Sequence, residues 1–151
     1  MKKILYSIVI MLLSFSVYAQ DVKTIQVYKN SITHDNIKAN ITYDENGKIV
    51  KDEFFYTVTT TAMWTGKPST VIVYNGSYDQ IHSFFTAILQ FANENKNDMN
   101  AKATIDGREI SRKKVAGIKC IVIKNGDEST NTNIKSLIKA LESLEKWRKE
   151  N

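Results

Sequence analysis

An α+β fold is the architecture this sequence predicts: a two-layer sandwich of mostly antiparallel sheet with two helices on one face. Three observations predict it. Two stretches carry apolar residues at helical spacing, one mid-chain and one at the end. Between them lie alternating, β-branched runs joined by Asn-Gly and Asp-Gly turns. The order of strands and helix also occurs twice, which predicts a tandem strand–strand–strand–helix duplication, with pseudo-repeats at about 37–95 and 100–150.

The chain opens with Lys2 and Lys3, an apolar run from Ile4 to Phe15, and Val17-Tyr18-Ala19. A charged start, a short apolar middle and a small residue at the cut describe a secretory signal peptide over 1–19, with cleavage after Ala19. The run is shorter than the roughly 20 apolar residues a bilayer span needs. The expected product is a single domain over 20–151, periplasmic in a two-membrane bacterium or secreted. No second apolar stretch of spanning length occurs, so no transmembrane segment is expected, and the residue directly after Ala19 is Gln20 rather than the cysteine a lipid anchor would need.

Thr24 to Tyr28 reads as a short strand. Ile37–Tyr43 and Lys48–Lys51 flank the Asn46-Gly47 turn. Glu53 to Trp64 alternates, with Phe54, Tyr56, Val58, Ala62 and Trp64 on one side and Phe55, Thr57, Thr59, Thr61 and Met63 on the other. After a turn at Thr65–Pro68, Thr70–Asn75 forms the next strand. Ser77 and Gln80 have capping-box spacing, and Ile81, Phe84, Phe85, Ile88, Leu89 and Ala92 form a helical stripe. Ala101–Ile105 and Arg108–Arg112 make a hairpin about Asp106-Gly107. Ile118–Ile123, almost wholly apolar, predicts a central, well-covered strand. A polar loop from Asp127 to Asn133 leads into a helix whose stripe is Ile134, Leu137, Ile138, Leu141, Leu144 and Trp147. Ile72–Gly76 aligns with Val122–Gly126 at an offset of 50, and Ile81–Ile88 with Ile134–Leu141 at an offset of 53.

Removing Lys2 and Lys3 with the leader leaves 19 basic against 16 acidic residues, a net charge of +3. That mild excess gives no reason to expect nucleic acid as a partner. The single cysteine, Cys120, excludes an internal disulfide, and its apolar surroundings predict a buried structural thiol. His82 falls off the helical stripe and is expected to face solvent, while His34 and Asp35 read as a pair of loop residues. No hydrolase elbow, phosphate loop or metal-ligand spacing occurs, so neither catalytic residues nor a metal or cofactor is implied.

Three surfaces remain as candidate binding sites. Thr57, Thr59 and Thr61 mark the sheet face away from the helices. Met63 and Trp64 sit near a hairpin tip; core packing is the competing reading for Trp64. Arg108, Arg112, Lys113 and Lys114, with Lys119 beyond them, form a basic stretch that suits an anionic envelope component, or equally a solvated strand edge. The function these features favour is an exported, non-catalytic binding module for a protein or envelope component. Its rival is a small envelope hydrolase built from scattered acids and a histidine.

Overall fold

The computed structural model describes residues 21–61, 68–115 and 117–151, with backbone alone at 60, 61 and 115. The leader, Met63 and Trp64 lie outside the described residues. The fold is an α+β sandwich of two four-stranded antiparallel sheets and two helices. Strands β1 (Asp21–Lys29), β2 (Asp35–Tyr43), β3 (Ile49–Thr61) and β4 (Pro68–Gly76) form the first sheet in chain order, followed by helix α1 (Tyr78–Glu94). Strands β5 (Lys102–Ile105), β6 (Arg108–Val115), β7 (Ile118–Asn125) and β8 (Glu128–Thr132) form the second, followed by helix α2 (Ile134–Glu150).

Turn chemistry sets these meanders. Asp44 accepts the amides of Asn46 and Lys48 at 3.0 and 2.8 Å, while Gly47 takes φ +76°. Asp106 and Gly107 both have positive φ, the requirement of a two-residue hairpin that Asp-Gly meets at little cost. Lys48–Lys51 and the run after Glu53 are one strand, not two: a bulge opposite Thr42 and Tyr43 absorbs the irregularity and turns Val50 outward. A second bulge, opposite Tyr56 and Thr57, lets Val73 and Tyr74 both point inward.

Each repeat is one strand longer than the sequence predicts. The segment expected as the loop Asp127–Asn133 contains β8, reached from β7 by a two-residue turn in which Gly126 has φ +60°. Its sequence, Glu-Ser-Thr-Asn-Thr, is wholly polar, yet Thr130 and Thr132 are buried. Consequently Ile72–Gly76 and Val122–Gly126 are not equivalent: the former is the fourth strand of its sheet and the latter the third. The two helices correspond through their N-caps, Ser77 and Asn133, 56 residues apart. An offset of 53 is almost one helical turn away, so the apolar pattern matched there too.

The predicted capping box at Ser77 is present, and Asn133 caps the second helix. Ser77 accepts from the Gln80 amide at 3.4 Å and the Gln80 side chain accepts from the Ser77 amide at 2.9 Å. Asn133 accepts from the Ser136 amide at 2.8 Å. Ile81, Phe84, Phe85, Ile88, Phe91 and Ala92 of α1 are buried. In α2 the buried stripe is Ser136, Leu137, Ala140, Leu144 and Trp147. It is rotated from the expected one, and Ile138 is 42% exposed. The helices pack on each other, and α2 also rests on β1 while α1 touches β3, β4 and β5.

One buried hydrophobic cluster draws on both sheets and both helices. Aromatic pairs order its centre: Phe54 meets Trp147 edge-on at 5.0 Å, Tyr56 meets Phe85 at 4.9 Å, and Tyr74 stacks on Phe84 at 4.3 Å. Alternation along β3 places Phe54, fully buried, beside Phe55 on the opposite face. Phe54→Ala should therefore cost about 3–5 kcal/mol in urea denaturation, and Phe55→Ala less than half as much.

Candidate functional site

The helices cover the inward face of the first sheet, where Ile37, Ala39, Ile41, Phe54, Tyr56 and Val58 are buried. The outward face carries Thr57 and Thr59 on β3, both half-buried. Thr57 pairs across the ladder with Ile72, which is 50% exposed, and Thr59 with Thr70, their hydroxyls 2.9 Å apart. Farther across, the Thr24 hydroxyl donates to Asn40 at 2.8 Å. Threonine hydroxyls and isolated apolar groups thus share this face with the charged side chains of Lys38 and Glu53. For Thr61 the backbone alone is described, and it continues the same strand.

The basic stretch divides. Arg112 is 3% exposed and takes no part in an accessible cationic surface. Its Nη1 donates to the Ala92 carbonyl at 2.8 Å, one of the last carbonyls of α1, which lack intrahelical donors. A guanidinium there also meets the negative end of the helix dipole. Arg108 is half-buried: its guanidinium lies 4.4 Å from the Tyr74 ring centre, and its Nε donates to the Val73 carbonyl at 2.7 Å. It ties β6 to β4. Lys113, Lys114 and Lys119 are exposed. Charge counting along a sequence cannot separate these roles; alternation can, because Arg108, Arg112, Ile110 and Ile121 fall on one face.

Cys120 is half-buried rather than enclosed. It pairs with Lys113 on the outward side of β7, since strand alternation cannot turn every residue of Ile118–Ile123 inward. Ile118 on the same side is 62% exposed. His82 is half-exposed, stacks on Tyr78 and lies 3.4 Å from Glu145 of α2. His34 is an exposed residue with φ +57°, whereas Asp35, expected in a loop, begins β2 and is buried at 1% exposure. The Asp35 carboxylate accepts from Tyr56 at 3.0 Å, Thr33 at 2.7 Å, Thr132 at 2.9 Å and Ser136. Ser136 is itself 1% exposed, so this Ser–Asp contact offers no accessible nucleophile.

A groove of about 450 Å³ runs between α1 and the β5–β6 turn, lined by Tyr74, Asp79, Gln80, Ser83, Phe84 and Asp106 among others. The Tyr74 hydroxyl donates to Asp106. Among the described residues, no group of three or more His, Cys, Asp or Glu could hold a metal ion, and no helix is long and apolar enough to cross a membrane. No family model matches the chain, and no curated protein or solved structure matches it either.

Burial, reinforced by the Asp106 carboxylate, pushes the Tyr74 phenol up to about 12. Burial and the Asp35 charge hold Tyr56 well above the ordinary phenol range. A raised phenol pKa means the folded state retains protons that the unfolded chain releases. Tyr74 therefore contributes stability that is complete below pH ~10 and is lost as pH climbs through about 12, and Tyr56 adds a contribution of the same sign. Denaturation midpoints across that alkaline window should fall steadily, and less steeply in Tyr74→Phe.

Proposed function

We propose that the protein is a small exported binding module, without catalysis, that engages a protein or envelope component across the outward face of β1–β4. The charged and then apolar N-terminus supports export. The observation that carries the binding reading is the outward face itself: Ile72, half exposed, beside Thr57 and the Thr59–Thr70 pair, on strands whose other face buries Phe54, Tyr56, Val58 and Val73. A flat surface on a rigid sheet suits a macromolecular partner, whereas small-molecule chemistry calls for a concave pocket. The rival hydrolase reading draws on Asp79 and Asp106 in the α1 groove. There Asp106 already accepts from Tyr74, and neither histidine lines the groove.

The chain beginning at Gln20, immobilised and challenged with an envelope extract, tests this reading. A retained partner should bind Ile72→Asp/Thr59→Lys at least about tenfold more weakly, with thermal unfolding of the variant unchanged. Equal retention by the variant, or none by the wild type, contradicts it.

A further inference from the structure

The β6–β7 hairpin outruns its own sheet. β5 pairs with β6 only as far as Ser111, and β8 pairs with β7 only from Ile121 onward. Past those points, Lys113–Val115 and Ile118–Cys120 pair with each other alone. The result is a two-stranded ribbon with no strand on either flank among the described residues. Such a ribbon is marginally stable by itself, and its side chains weaken it further. Lys114 faces Lys119 directly across the ladder, and like charges so placed repel.

Among the described residues, no ion pair relieves that repulsion, and Lys113 forms none either. No acidic residue occurs from Ile110 to Asn125. The four residues between Lys114 and Lys119 are uncharged, and Ile118 among them is 62% exposed. Three lysines and an exposed isoleucine therefore share the end of a narrow projection.

We propose that this ribbon docks the protein on an anionic lipid bilayer, with Ile118 entering the headgroup–acyl boundary and Lys113, Lys114 and Lys119 among the lipid phosphates. The combination of an apolar tip and flanking cations is what interfacial binding requires. Lysine is a flexible point charge, suited to mobile headgroups, where a fixed carboxylate or phosphate site would favour the planar fork of arginine. The two arginines of this stretch, Arg108 and Arg112, are instead engaged with backbone carbonyls. One isoleucine and three lysines give weak, reversible, salt-sensitive attachment. The ribbon is separate from the outward face of β1–β4, so this inference does not rest on the sheet-face reading.

Sedimentation with vesicles tests it, using the chain beginning at Gln20, which holds every described residue of the buried cluster. Vesicles of phosphatidylcholine with about one-third phosphatidylglycerol should retain the protein at low salt and release it at high salt; phosphatidylcholine alone should not retain it. Lys114→Ala/Lys119→Ala should weaken retention about thirtyfold, and Ile118→Ser should weaken it several-fold, both with wild-type thermal unfolding. Failure to bind the anionic vesicles, equal binding to neutral ones, or unchanged binding by both variants would overturn the proposal. Full competition by soluble glycerol phosphate would also overturn it, in favour of a free phosphate. Tighter binding to polyglutamate than to the vesicles would do so in favour of an acidic protein.

Discussion

The Asp35 carboxylate holds the two halves of this fold in register. It is buried, and it is met by hydroxyls instead of a cation: Thr33 from the preceding loop, Tyr56 from β3, Thr132 from the end of β8 and Ser136 from the first turn of α2. Ser136 in turn lies 3.0 Å from the Tyr28 hydroxyl of β1. Burying a carboxylate costs several kcal/mol, and each hydrogen bond to a charged group returns about 1.5–3 kcal/mol. The near balance depends on all the donors being present together. The site forms only when β8 and α2 of the second repeat dock on the end of β2 and β3 of the first.

From that node the rest of the packing follows. With the start of α2 fixed beside Tyr28, its stripe falls on β1 and α1, and Trp147 reaches Phe54. Arg108 and Arg112 repeat the logic with cations, one tying β6 to the β4 backbone and the other closing the end of α1. The polar groups inside the fold thus act as joints between repeats. The exposed features, the outward face of the first sheet and the lysine ribbon, are carried on a frame that these joints hold still. Loops and strand ends on a rigid scaffold are where binding surfaces are commonly found.

Much of this fold could be read from residue order. The capping box at Ser77 and Gln80, the stripe from Ile81 to Ala92, the inward set Phe54, Tyr56 and Val58, and the turn at Asp106-Gly107 are local signals, and local geometry answers to them. Strand β8 could not be read, because Thr130 and Thr132 are buried through tertiary contact in a segment with no apolar residue. Asp35 escaped for the same reason. Its donors lie as far away as Ser136, and no spacing rule links them. The basic stretch was visible as charge, but its division into buried arginines and exposed lysines needed the register of β6 against β7. Thr57 and Thr59 do lie on the outward face, as alternation along β3 requires.

Amide hydrogen exchange on Asp35→Ala is the most direct examination of this joint. If the carboxylate couples the repeats, protection in β2 and β3 and protection in α2 should fall together, each by at least about 2 kcal/mol, with one shared opening event. Loss of protection confined to β2 and β3, with α2 exchanging as in the wild type, would show that the second repeat holds its place without Asp35.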